Sequence, residues 1–338
     1  MKTMLVTGGA GFMGSNFIRH CLETYPDCKI LVLDALTYAG SLDNIPRDSR
    51  VEFYFGNVRN TPLLDFLVSQ SDVVVHLAAE THVTRSIFDN LLFFETDILG
   101  TQSVASAVTE HYKTVERFIH VSSSEVYGTA LSKIIDEEHP LMPMSPYAAA
   151  KAGADRLVYS YWKTYDIPAV ILRPFNNYGP YQHLEKVIPR FITSCLLNEP
   201  LTVHGDGKAQ RDWLYVDDFC EALDKAVSCE LSKIKGEVIN IGTGRSIDIL
   251  TIADIIVEKM SKPKSLITHI GDRPGQVFRH TSSTEKAQKL LGWTPKTKFE
   301  DGLDKTIDWY KNNREWWESR LWMRRVPIMT KNGRIEYH

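Results

Sequence analysis

Thr7-Gly8-Gly9-Ala10-Gly11-Phe12-Met13-Gly14 follows the apolar run Met4–Val6 and leads into a helical pattern, Met13–Thr24. Glycines at three-residue spacing (Gly8, Gly11, Gly14) let a chain turn tightly after a strand and approach a pyrophosphate. The free N–H groups of the next helix, around Phe12 and Met13, then face the phosphates. Glycine turns also arise for purely structural reasons. Here the motif sits at the first strand-to-helix junction, where a dinucleotide fingerprint belongs. Asp34 lies twenty residues after Gly14, at the end of the next strand pattern. A carboxylate there accepts from a ribose diol and repels a 2′-phosphate, which favours NAD over NADP.

Working outward, strand and helix patterns alternate. Met4–Thr7, Lys29–Asp34, Val51–Phe55, Val73–Leu77, Phe118–Ser122 and Ala169–Arg173 read as strands. Met13–Thr24, Thr61–Ser69, Asn90–His111 and Ala148–Thr164 read as helices. Continuous apolar strands separated by helices imply an α/β, Rossmann-type, doubly wound parallel sheet. After Pro174 the pattern loosens. Pro and Gly clusters at Asn176–Pro180, Pro200–Gly207 and Asp272–Gly275 read as loops, with helices at Ile249–Met260 and Thr284–Leu291. The expected division is a dinucleotide-binding domain over 1–175, joined again by segments near 213–243. A smaller C-terminal substrate-binding α/β lobe follows over 176–315, then a tail over 316–338. No role is legible for the Trp- and Arg-rich tail.

Composition excludes several classes. A net charge of -3 gives no overall basic field for nucleic acid, so an anionic ligand must be held by local groups. No run reaches the length of a membrane span. Cys21, Cys28, Cys195, Cys220 and Cys229 form no CxxC pair, which predicts reduced thiols and no metal site. The opening residues read as strand and turn rather than a cleavable leader, so a cytoplasmic location is expected. His76 and His82 lack an acidic cluster of ligand spacing and read as structural or substrate-contacting.

Ser122-Ser123-Ser124-Glu125 follows a strand, and Tyr147-Ala148-Ala149-Ala150-Lys151 opens a helix. Tyr and Lys four apart share a helix face. A nearby ammonium stabilises phenolate, which can then remove a hydroxyl proton while NAD is reduced. Ser123 can hydrogen-bond the same substrate oxygen. A Tyr-x-x-x-Lys pair alone is commonplace. It gains meaning from the glycine turn, Asp34 and the serine run that precede it. On the cofactor side, Leu77, Ala78 and Ala79 permit close approach. Asn57 and Val58 suit the adenine, and Thr96 suits the nicotinamide end.

With these residues in place, the chain resembles the extended short-chain dehydrogenase/reductases that modify nucleotide sugars, over roughly 1–309. Within them it is most similar to 4,6-dehydratases of the dTDP-glucose kind. The matching segments are Asp34–Gly40, His76–Val83, Asn176–Tyr181, Arg211–Val216 and Asp272–Gly275. The resemblance implies NAD-driven oxidation at C4, loss of water across C5 and C6, and reduction at C6. The product would be a 4-keto-6-deoxy sugar nucleotide. It implies Tyr147 as C4 base, Lys151 as its tuner, Ser123 in the usual Thr position and Glu125 as C5 base. It also implies substrate contacts from Asn176, Lys186, Val187, His204, Arg211, Asn240 and Arg273, and a homodimer paired through Asn90–His111 and Ala148–Thr164.

Departures from the family pattern fall near the substrate. Ser124 stands where the family has an Asp acid, and a hydroxyl is a far poorer acid. Thr84, His204 and Gln276 replace a usual Asp, Tyr and His. GDP-mannose 4,6-dehydratases carry Ser-Glu and still dehydrate; UDP-glucuronate decarboxylases carry it too, so a decarboxylase stays open on the same scaffold, with a 4-epimerase as a further alternative against which Glu125 argues. A non-catalytic NAD-binding protein is the remaining alternative, and it predicts an eroded Tyr/Lys pair.

Overall fold

The computed structural model describes residues 2–272, 275–329 and 335–337, so Arg273 lies outside the described residues. Apolar runs of the first half form β1 (Thr3–Thr7), β2 (Lys29–Asp34), β3 (Val51–Phe55), β4 (Val73–His76), β5 (Arg117–Val121) and β6 (Ala169–Pro174). Four strands follow: β7 (Asn176–Tyr178), β8 (Leu201–His204), β9 (Gln210–Tyr215) and β10 (Val238–Ile241). The main sheet has the order β10-β6-β5-β4-β1-β2-β3, and every neighbouring pair is parallel.

Alternation along each strand feeds two cores. Met4, Val6, Val32 and Val75 pack under the helices Phe12–Thr24 and Val216–Ser228. Leu5, Leu31, Leu33 and Val74 pack under Thr61–Ser69, Gly100–Glu110 and Pro146–Tyr165. Burial on both faces explains the nearly unbroken apolar strand sequences. The chain runs from β1 outward to β3, then returns through β4 to the other side. The carboxyl ends of β1 and β4 therefore flank a topological switch point, where open α/β sheets bind ligands.

The later residues build a smaller layer. β7, β9 and β11 (Ser246–Asp248) form one sheet; β8 and β12 (Ile267–Ile270) form another. Phe191, Leu201, Trp213, Ile252, Leu303 and Trp317 share its core. Two expected loops are corrected here. Asn176–Tyr178 and Leu201–His204 are strands, because the Pro and Gly residues flank these short runs rather than interrupt them. The expected helix over 90–111 is also not uniform. Leu91–Phe93 and Gly100–Glu110 are α-helical, and Phe94–Leu99 between them is a π-helical turn. Such a turn carries an extra residue and is frequent at functional sites.

The segment from Trp316 onward returns to the residues that follow β2. Trp316 Nε1 donates to Asn44 Oδ1 at 2.9 Å, and Asn44 Nδ2 donates to the Ala10 carbonyl at 2.8 Å. Arg320 donates to Ser41 Oγ at 2.8 Å. Further on, Arg324 pairs with Glu199 at 2.9 Å and donates to Ser194 at 2.7 Å. The segment thus bridges the loop after β2 and the substrate-side helix Val187–Leu197.

Candidate active site

A cleft of about 440 Å³ opens at the switch point. Gly8, Gly11, Phe12, Met13, Gly14, Asp34, Asn57, Val58, Leu77, Ala78, Ala79 and Thr96 all line it. Gly8 has φ +72°, and a Cβ there would lie 2.6 Å from the Ala78 nitrogen. A Cβ on Gly14 would strike the Gly8 carbonyl. Only glycine leaves this cradle open. Asp34 accepts from the Ala10 N–H at 2.9 Å and the Leu36 N–H at 2.8 Å. Burial raises its pKa, and these two donors oppose the rise. Each carboxylate oxygen keeps a lone pair for a ribose hydroxyl. Thr96 Oγ1 and Ser122 Oγ are buried in the wall without a hydrogen-bond partner among the described residues. The open cradle, the carboxylate and the orphaned hydroxyls fit an NAD dinucleotide.

Ser123, Ser124, Glu125, Tyr147 and Lys151 line the same cleft. The helix Pro146–Tyr165 begins with Pro at its first position, and Ser145 Oγ accepts the Ala148 N–H at 3.1 Å. That cap puts Tyr147 and Lys151 on consecutive turns, facing inward. Burial pushes the Tyr147 phenol well above its ordinary pKa; a hydrogen bond from Ser123 opposes this, and Asp97 and Glu125 add to it. The Lys151 ammonium donates to the Val121 carbonyl at 2.9 Å. Burial lowers its pKa, while Asp97 and Asp155 pull it back up.

Ser123 caps a short 3-10 turn, Ser124–Tyr127, by accepting the Glu125 N–H at 3.2 Å. The turn ends at Gly128, whose φ of +67° closes it. Ser124 Oγ lies 3.4 Å from His280 Nδ1, and Glu125 Oε1 lies 3.9 Å from the same nitrogen.

On the substrate side, Asn176, Lys186, Val187, His204 and Arg211 line the cleft. Lys186 donates to the Thr81 carbonyl at 2.9 Å and precedes the helix Val187–Leu197, whose free N–H groups face anions well. An Arg211–Asp212 surface pair is not formed. Asp212 is buried and takes up donors from Thr243, Gly244 and Ser282 instead. Asn240 is buried; its Oδ1 accepts from Tyr127 at 2.7 Å and its Nδ2 donates to the Ile135 carbonyl at 3.2 Å. His76 bonds Thr7 and Thr101, and the His82 Nδ1 accepts the Arg85 N–H at 3.2 Å.

Four residues stand at or behind this wall that sequence reasoning did not single out. Glu80 lines the cleft, with burial raising its pKa to about 7. Asp97, buried on the π-helical turn, accepts the Glu80 N–H at 2.8 Å and faces Lys151. Arg190 lines the cleft from the second turn of Val187–Leu197. His280 stands behind Ser124. The one sequence signal for Asp97 was the polar stretch Glu95-Thr96-Asp97 set between apolar residues of a helical run.

Comparison with known proteins agrees with this geometry. The chain is 41% identical over 322 residues to dTDP-glucose 4,6-dehydratase of Streptomyces niveus, covering 93% of this chain and 94% of the relative. It is 43% identical to the low-salt glycan biosynthesis protein Agl12 of Haloferax volcanii, covering 92% and 99%. The crystal structure of DesIV, a dTDP-glucose 4,6-dehydratase from Streptomyces venezuelae solved with NAD bound, superposes with a TM-score of 0.89 at 39% identity, covering 94% and 99%. The family model described as GDP-mannose 4,6 dehydratase matches residues 5–306. A matching model over most of the chain, together with relatives of this identity and coverage, means that the chain belongs to the GDP-mannose 4,6 dehydratase family.

Proposed function

We propose that this protein is an NAD-dependent nucleotide-sugar 4,6-dehydratase, a hydro-lyase acting on a dTDP-glucose-like substrate. The observation that carries the reading is the convergence of Ser123, Glu125, Tyr147 and Lys151 on one cleft beside the glycine cradle. When bound, NAD supplies the oxidant for C4 and the reductant for C6. Tyr147 takes the proton of the C4 hydroxyl, and Ser123 shares that oxygen by hydrogen bond. Lys151 sets the local positive charge near both. The C4 ketone acidifies the C5 hydrogen, which Glu125 removes as the C6 oxygen departs. Gly8, Gly11, Phe12, Met13, Gly14, Asp34, Asn57, Val58, Leu77, Ala78, Ala79 and Thr96 hold the dinucleotide.

Lys186, Arg211 and Arg273 hold the diphosphate, helped by the N-terminus of Val187–Leu197. Asn176, Val187 and His204 contact the sugar nucleotide. The reading includes a homodimer. Leu91, Leu92, Leu99 and Tyr165 are exposed on the two helices that would pair. No described helix is long and apolar enough to cross a membrane. The described cysteines are free thiols, in keeping with a cytoplasmic site of action.

Mass spectrometry of products from dTDP-glucose, UDP-glucose, GDP-mannose, CDP-glucose and UDP-glucuronate, each incubated separately, tests the assignment. Loss of one water from any of them is expected. Loss of CO2 from UDP-glucuronate alone would replace it with the decarboxylase reading. Static light scattering tests the dimer.

A further inference from the structure

A 4,6-elimination needs a base at C5 and a proton for the departing C6 oxygen. Glu125 can serve as the base. Ser124, its neighbour, is the nearest candidate donor, but a serine hydroxyl has little acidity of its own. Against both Ser124 and Glu125 stands a further titratable group, the His280 side chain. His280 comes from a segment 156 residues away and is completely buried. Its Nε2 lies 2.6 Å from the Gly128 carbonyl oxygen. A carbonyl only accepts, so Nε2 carries the ring hydrogen and Nδ1 presents a lone pair. That lone pair faces two groups at once: Ser124 Oγ at 3.4 Å and Glu125 Oε1 at 3.9 Å.

The imidazole is firmly placed. The His280 backbone N–H donates to the Gln210 carbonyl at 3.1 Å, and Phe175 meets the ring edge-on at 6.0 Å between centroids. His280 does not itself line the cleft, whereas Ser124 and Glu125 do. It can therefore act only through them.

We propose that Glu125, His280 and Ser124 form a proton relay that carries the C5 proton to the departing C6 oxygen. This rests on the dehydratase reading above. The steps balance without an outside acid. Glu125 takes the C5 proton, and the C5–H electron pair becomes the C5=C6 bond. The C6–O bond breaks, and its electron pair leaves with oxygen. Glu125 passes its proton to His280 Nδ1. His280 passes a proton to Ser124 Oγ, as Ser124 gives its hydroxyl proton to the departing oxygen. Water leaves, and all three side chains return to their starting protonation states. A carboxyl shift of about 1 Å brings Glu125 into hydrogen-bond range of Nδ1. Burial holds the His280 pKa down at about 4, against the pull of Glu125. The ring therefore rests neutral and gives up a captured proton readily. His280 is a positioning and relay residue; it does not touch the sugar.

The test uses the full-length protein with its accepted sugar nucleotide and with the 6-deoxy-6-fluoro analogue of that substrate. Fluoride departs without a proton, so the analogue needs no relay. His280→Gln keeps a donor for Gly128 and an acceptor for Ser124 but cannot carry a proton. Its water elimination should fall by on the order of 100- to 10,000-fold, the usual worth of acid–base assistance. Reduced-nicotinamide absorbance should meanwhile build up, because C4 oxidation continues. With the fluoro analogue, fluoride release should return to within about threefold of the unaltered protein. Ser124→Ala, a small change at the other end of the relay, should show the same pair of results if His280→Gln does not fold. Equal losses with both leaving groups, or no loss with either, would overturn the relay. An unaltered protein that releases water from no sugar nucleotide would instead overturn the dehydratase reading.

Discussion

Asp97 is the buried carboxylate left to face Lys151. The other nearby carboxylate, Asp155, is held by Arg173 through two hydrogen bonds of 2.8 and 2.9 Å. Asp97 Oδ1 accepts the Glu80 N–H, and its Oδ2 has no hydrogen-bond partner among the described residues. The ammonium and Asp97 therefore set each other's charge state across the floor of the cleft.

Asp97→Asn keeps the acceptor for Glu80 and removes the charge. Burial already lowers the Lys151 pKa, and losing Asp97 lowers it further. The same loss makes the Tyr147 phenol easier to ionise, because Asp97 pushes that pKa up. Both limbs of the pH profile of kcat/KM should move toward lower pH. A profile that stays in place would remove Asp97 from this role.

Tyr147→Phe and Glu125→Gln should separate the two halves of the reaction. Without the phenol, C4 oxidation fails, so turnover should drop by on the order of 100- to 10,000-fold with no reduced-nicotinamide signal. Glu125→Gln should lose product formation to a similar extent while that signal still rises. Stopped-flow absorbance reads both.

Asp34→Ala should weaken NAD binding by roughly 10- to 100-fold, as expected for a lost charge-assisted contact of about 1.5–3 kcal/mol. The preference over NADP should narrow at the same time. Isothermal titration calorimetry with each dinucleotide measures the two effects. An unchanged preference would mean that Asp34 only braces the turn through Ala10 and Leu36.

Arg173→Met should destabilise the first domain. Arg173 donates to Asp155 and, at 2.8 Å, to Tyr127 Oη, all deep in the core. Removing one partner of a buried pair costs about 3–5 kcal/mol, and the loss here should fall toward the lower figure, because Arg156 still donates to Asp155 Oδ1 at 2.9 Å. Burial works to raise the Asp155 pKa, and Arg173 outweighs it, so the folded value lies below the unfolded one. The contribution is present above the unfolded carboxylate range and fades as pH falls through the folded value. Urea melts at neutral and acid pH should show the gap between the two proteins closing with acid.

The first half of the fold was legible because its signals are local. Apolar runs, a glycine turn and Asp34 each act within one strand–helix unit, and the sheet follows from their repetition. The Tyr147 and Lys151 pair was legible for the same reason, since helix geometry alone puts them on one face. The second half misled where Pro and Gly were read as loop rather than as the borders of β7 and β8. Spacing likewise carries no trace of the bonds from Tyr127 and to Ile135 that hold the Asn240 side chain. His280 was invisible for the complementary reason. Its meaning depends on Gly128, Ser124 and Glu125, which the chain reaches only after the substrate-side layer has folded back.

The tail described above gives the molecule a gearing that a cleft between two free lobes would lack. Trp316 holds Asn44, Asn44 holds Ala10, and Ala10 is part of the glycine turn itself. A few residues later Arg324 grips the substrate-side helix through Ser194. A continuous set of hydrogen bonds thus links the substrate-side helix to the glycine turn through this segment. A catalyst that oxidises and then re-reduces the same molecule is served by a cofactor turn braced in this way, and residues 316–324 supply the brace.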